Sequence, residues 1–227
     1  MVHLLLAVCR LLPVWTLLLA GQAMAESYAL EPNQKNLPPC SGTWSKSNGN
    51  SVFTCSGQVT LSAGDMLAAS GAVTLRAVGF SIASATVGSS SWPISIEADW
   101  NGVTTTGTSS FSGAVSSNGN ISLGNATIAG SLTGKNSVTM SGGSVGGDVS
   151  SVSGSIRLTS VAVAGTVTAN SESITLSGGS VAGLVNSDCC NVVTTGTNLQ
   201  GGARSGSSSL SITGGTIQGD FSSVNNP

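Results

Sequence analysis

Apolar residues along this chain fall in short alternating pairs set among Ser, Thr, Gly and Asn, and from Ile121 onward the pairs repeat every 17 or 18 residues. Counting from Ile121, Val138, Ile156, Ile174, Val192 and Leu210, each unit is apolar at places one, three, eight and twelve, with Gly at place ten. Those glycines are Gly130, Gly147, Gly165, Gly183, Gly201 and Gly219. The unit beginning at Val192 is the weakest, with Thr194 and Ala203 at two of the four apolar places. A step of two broken at corners marks short strands with one buried face, whereas a helix would need apolar steps of three and four. The spacing predicts two strand faces per unit, one carrying places one and three and the other places eight and twelve. A unit this short cannot bury its own apolar face, so neighbours must stack along an axis. The fold expected is all-β: a single-stranded β-solenoid of about 18 residues per coil, cored by Val, Ile and Leu.

The pairs Gly142-Gly143, Gly178-Gly179 and Gly214-Gly215 lie 36 residues apart, at one corner of alternate coils. Glycine suits such corners because it accepts positive φ and leaves room for the next backbone. Before residue 120 the periodicity is looser. Val59/Leu61/Met66 and Val73/Leu75/Phe80/Ile82 stand 14 residues apart, and Ile94/Ile96 opens another strand. Thr104/Thr106/Phe111/Val115 with Gly113 fits the later register one step of 17 earlier, so the regular stack is expected from about Thr104 to Phe221. The chain divides into a leader at 1–25, an extended segment and hairpin at 26–57, an irregular entrance to the solenoid at 58–119, and regular repeats at 120–227.

The leader has Arg10 before a short apolar run at 11–20, then Ala23-Met24-Ala25, the form of a secretory signal and its cleavage site. The run is too short to span a bilayer, which needs about 20 apolar residues. Export to an oxidising space suits Cys40, Cys55, Cys189 and Cys190, an even number once Cys9 leaves with the leader. Cys40 and Cys55 flank a hairpin signal with Asn48-Gly49 at its turn, and a disulfide across the base is expected. Cys189-Cys190 has two readings, a vicinal disulfide or two free thiols. A structural corner is favoured over a redox site, because the flanking residues are Asp188 and Asn191 and a reactive thiol needs a basic neighbour. Nothing after Phe221 reads as a cap, so the last rung is expected to be an open edge where other domains or chains could pair.

Composition narrows the function. Charged residues are 7% of the chain and aromatics 4%, with apolar residues at 40%, unlike a disordered chain. The net charge of −2 gives no basic stripe for nucleic acid. The single His is His3, inside the leader, and Arg76, Arg157 and Arg204 fall in separate coils. Asp148 and Asp220 share one place in the repeat but lie four coils apart, about 19 Å at the spacing of paired strands. Paired glycosidase carboxylates need about 5 to 9.5 Å, so no catalytic site is assigned, no cofactor is expected, and the chain is not read as an enzyme. Glu97 and Asp99 sit on one face of a strand with Asp65 a candidate neighbour; a solvated outer face is favoured over a weak Ca²⁺ site. Trp44, Trp92 and Trp100 either fill a cap core or stack on sugar rings of a surface glycan, with the cap favoured.

The segment CSGTWSKSNGNSVFTCSGQVTL, the GGSV-x-G repeats, DCCNVV, TNLQGGARS and ITGGTIQGDF together resemble the N-terminal solenoid of large exported MshQ-like proteins, linked to biogenesis of the MSHA type IV pilus. That resemblance implies a structural stalk or adhesin-like module, periplasmic, extracellular or at the cell surface, with pilus or surface components as partners. It implies no reaction. The valine-rich, glycine-punctuated coils also resemble bactofilins, which polymerise, so a polymer-forming module is the alternative, and a carbohydrate-binding or polysaccharide-processing β-helix is a third reading. Likeness to solenoids of this coil length implies a right-handed β-helix.

Overall fold

The computed structural model describes residues 24–31, 36–49 and 51–223. The leader, all but its last two residues, lies outside them. Among the described residues there are 26 strands and no helix, so none is long and apolar enough to cross a membrane. The strands stack in parallel into a β-solenoid of about ten coils, about 18 residues apart.

Each regular coil has three strands, not two. In one coil they are Val138–Ser141, Gly143–Val145 and Val149–Ser151, and each pairs in parallel with its equivalent 17 or 18 residues away. Places one and three lie on the first face and place eight on the second. Place twelve opens the third, because the glycine at place ten is a corner that turns the chain between them.

The core is built from in-register columns. Val59, Phe80, Val103, Ile121, Val138, Ile156, Ile174, Val192 and Leu210 run up the first face. Leu67, Val87, Phe111, Ile128, Val145, Val163, Val181 and Leu199 run up the second. The third carries Phe53, Leu75, Ile96, Val115, Leu132, Val149, Val167, Val185, Ala203 and Phe221. All but Leu210 and Phe221, on the last coils, are buried. Nine steps of about 4.8 Å along the third column make a rod of about 43 Å. The weak unit keeps the register: Thr194 is buried between Leu176 and Ile212, its hydroxyl without a partner, and Ala203 takes its place in the third column.

The region before residue 120 belongs to the same stack. Val59 pairs with Phe80 and Leu61 with Ile82, a step of 21 in place of the expected 14. Val73 pairs with Ile94, again 21 on. These coils are longer because single strands, Val52–Leu61, Val73–Ala83 and Ile94–Thr106, run across the corner from the third face to the first, with irregular register at the bend. The register at Thr104 also differs by one residue. Ile121 pairs with Val103, so Val103 and Thr105 point inward while Thr104 and Thr106 are exposed. A slip of one flips every side chain across a strand, and the apolar Val103 settles which way it falls.

An antiparallel wrap seals the N-terminal end. Ala29, on the strand Ser27–Leu30, bridges Asn36 over the second face. The amide of Thr60 donates to the Pro39 carbonyl and that of Ser41 to Gln58 over the first. Trp44–Ser47 pairs with 52–55 over the third. The expected hairpin is present, with Asn48 and Gly49 both at positive φ, and Cys40 and Cys55 form its disulfide. Asp65 belongs to this wrap: its buried carboxylate accepts the amides of Glu26 (2.9 Å) and Ser62 (2.7 Å). Tyr28 donates its hydroxyl to Glu26 (2.8 Å). Burial first, then that bond and the negative charges of Asp65 and Glu26, push the phenol up to about 12. At the opposite end no described segment covers the last coil, where Ile217 is 38% and Phe221 45% exposed.

Candidate binding groove

The corner between the third and first faces is where the coils differ most. The corner residues Asp99, Trp100 and Asn101 of one long coil stand beside the tighter turn at Asn118-Gly119, whose amides donate to the carbonyls of Ala98 and Asp99. Above them, Lys135 donates its amide to Ser117 and Val152 to Gly134, continuing the corner column. A row of outward side chains on the third face runs beside it: Thr54, Arg76, Glu97, Ser116 and Thr133 in paired register. The step between row and column is an open groove made of two adjoining hollows of about 370 and 400 Å³, which share Glu97, Ala98 and Asn118.

Four charged side chains line the groove in a chain where charge is scarce. Arg76 Nε donates to Glu97 Oε2 at 2.5 Å, and both remain about half exposed, so solvent screens the pair. Asn118 Nδ2 donates to Asp99 Oδ1 at 3.2 Å. Lys135 Nζ lies 5.2 Å from the centroid of the Trp100 ring, within the range of a cation–π contact. Trp100 is nonetheless 67% exposed, the most exposed aromatic side chain among the described residues.

The other residues singled out from the sequence fall elsewhere. Trp44 is half-buried in the N-terminal wrap, its Nε1 donating to the Pro38 carbonyl at 3.1 Å, which is the cap role. Trp92 is 51% exposed, in the turn before the third face. Asp65 does not join Glu97 and Asp99, being held in the wrap, and no three His, Cys, Asp or Glu among the described residues stand close enough to hold a metal ion. Asp148 Oδ1 accepts the amide and hydroxyl of Thr166 one coil on (2.8 and 3.0 Å), a bond that ties neighbouring rungs. Cys189 and Cys190 form a vicinal disulfide at the same corner as Asn118 and Lys135, four and three coils further along. The Cys190 amide donates to Ser187 Oγ at 3.0 Å, and its carbonyl accepts from Ser205 Oγ at 2.9 Å.

Comparison of the chain with protein-family models, with curated proteins and with solved structures gives no match. What the groove can do chemically therefore rests on its own side chains. It offers a guanidinium, an ammonium, two carboxylates, an amide and a row of hydroxyls, with the exposed Trp100 indole at its edge beside Lys135. The sequence reading named Glu97, Asp99 and Trp100 but missed Asn118 and Lys135. Their signal was positional: 99, 118, 135 and 152 are spaced like coils, a corner column that becomes visible only once the third strand of each unit is recognised.

The six repeat glycines carry the stack and no chemistry. The amides of Gly147, Gly165 and Gly183 donate to the carbonyls of Gly130, Gly147 and Gly165. A Cβ on Gly183 would stand 2.6 Å from the Gly165 oxygen, and one on Gly201 2.4 Å from the Gly183 carbonyl carbon. Of the six, only Gly219 has positive φ, so close approach of backbones, not dihedral freedom, fixes this column.

Proposed function

We propose that this chain is a non-catalytic stalk or adhesin-like module of an exported, cell-surface or pilus-associated protein. The observation that carries the reading is an unbroken stack of about ten coils sealed at one end, with exterior rows of Ser and Thr. Such a rod can hold two points at a fixed separation. The motif likeness to MshQ-like solenoids, the leader and the two disulfides support placing it outside the cytoplasm. The last described rung, with Ile217 and Phe221 partly exposed, offers a strand edge at which another segment or chain would continue the ladder.

The alternative is a polymer-forming module. Against it, the antiparallel wrap lies over the strand edges of the first coil, so a parallel head-to-tail rung cannot join that coil directly. Fractionating cells that produce the protein and titrating surface-exposed antibody sites, together with a concentration series by light scattering, tests both readings. The stalk reading expects a surface or periplasmic protein with oxidised cysteines and no assembly beyond a pair. Cytoplasmic retention with reduced cysteines would overturn export, and filaments would favour the polymer.

A further inference from the structure

We propose that the groove between the third face and its corner column binds a neutral oligosaccharide, with Trp100 as the stacking platform. This goes beyond the stalk reading and does not depend on it. The groove is a sheet face, where the backbone N–H and C=O groups of successive coils are spent on the parallel ladder. A peptide strand therefore finds no edge to join there, and only side chains meet a ligand. Those side chains form no deep apolar pocket. They present planar polar groups, Arg76, Glu97, Asp99 and Asn118, and hydroxyls of Thr54, Ser116 and Thr133. Such a set matches a ligand rich in hydroxyls that both donate and accept.

Charge selects among carbohydrates. Arg76 and Glu97 neutralise one another, and Lys135 offsets Asp99, so the groove carries equal numbers of each sign and gives no net pull on a polyanion. An indole two-thirds exposed beside these groups, in a chain with 4% aromatic residues, supplies the apolar surface that the C–H face of a sugar ring covers. From Thr54 to Thr133 the row spans four coil steps, about 19 Å, room for an extended chain of several rings running parallel to the solenoid axis. The tie between Lys135 and Trp100 holds the ring at the groove edge while leaving most of its surface open.

The test is calorimetric titration of the protein with cello-, xylo-, manno- and chito-hexaose, and with polygalacturonate as the acidic comparison. Trp100→Ala, Asn118→Ala and Trp92→Ala are compared, their folding checked by circular dichroism. Trp100 and Asn118 are exposed, so the first two variants keep the fold. At least one neutral hexaose is expected to bind, with affinity falling about tenfold or more in Trp100→Ala, equivalent to about 1.4 kcal/mol. Asn118→Ala should weaken the same ligand, and Trp92→Ala, in a different turn, should leave it unchanged. Failure of all four hexaoses to bind, binding to polygalacturonate alone, or binding indifferent to Trp100→Ala overturns the proposal and leaves the stalk reading standing.

Discussion

Replacing Gly179 with Val will lower the melting temperature by on the order of 10 °C, at about 2–4 °C per kcal/mol for a chain of this size. Gly179 has φ +73, a conformation that costs a β-branched residue about 1–3 kcal/mol. Its Cβ would also stand 2.1 Å from the Val161 carbonyl oxygen of the preceding coil, an atom fixed by the rung ladder. The corner can relieve that clash only by moving one coil off the next, which breaks bonds on both sides. Gly196→Val separates the two costs. That glycine also has positive φ, at +63, but no atom lies within 4 Å of its Cβ, so only the dihedral penalty remains and the fall should be a few degrees. Gly71→Ala, with neither constraint, should leave the transition in place.

The second large effect is expected at the sealed end. The Cys40–Cys55 disulfide, with a sequence separation of 15 residues, closes the wrap, and removing it with Cys40→Ser/Cys55→Ser costs about 3 kcal/mol in the chain-entropy model. The consequence is more than an entropic loss. The wrap covers Phe53 and Val59 and satisfies the outer edge of the first coil, so loosening it bares a strand edge and apolar surface together. The double variant should melt about 10 °C lower, be cut by protease within 36–49, and aggregate at concentrations where the parent does not. Opening the Cys189–Cys190 pair is the control, since adjacent residues close no chain loop and the loss should be much smaller.

These expectations depend on features that were legible to different degrees in the amino-acid order. The apolar places and the coil length were readable from Ile121 onward because inward Val, Ile and Leu contrast with Ser and Thr at every second position. The third strand was not, because place twelve follows place eight closely and the glycine between them reads equally well as a bulge or a corner. The inner row of the third face, Ser117, Ser151, Ser187 and Ser205, was hidden for another reason. Serine reads as a turn former, yet here the side chains are buried: Ser151 Oγ lies 2.7 Å from the Gly154 carbonyl, and Ser205 Oγ 2.8 Å from that of Ser208. Their hydroxyls satisfy corner backbone that would otherwise be buried without partners.

The long first coils misled for a related reason. Where one strand runs through a corner, as in Ile94–Thr106, the buried places change from even to odd numbers across the bend, and the step from the preceding coil stretches from 21 at Ile94 to 23 at Val103. From Ile121 a step of 17 lands on Thr104, whereas the observed pairing uses 18 and lands on Val103. The Asn48-Gly49 hairpin and its disulfide were legible because turn chemistry is local. The groove was only half legible: Trp100 is conspicuous in so aromatic-poor a chain, but its neighbours Asn118 and Lys135 come from the next two coils.

The central claim is the register of the rungs, and one distance reports it. Thr139 and Ser211 are exposed and occupy the same place on the first face, joined through Arg157, Thr175 and Val193 in four successive pairings. With spin labels at Thr139→Cys and Ser211→Cys, the native cysteines remaining oxidised, pulsed dipolar spectroscopy should give one narrow distribution centred at about 19 Å, widened only by the label arms. A broad distribution, or a distance beyond about 30 Å between sites 72 residues apart in sequence, would contradict a stack of parallel coils in register.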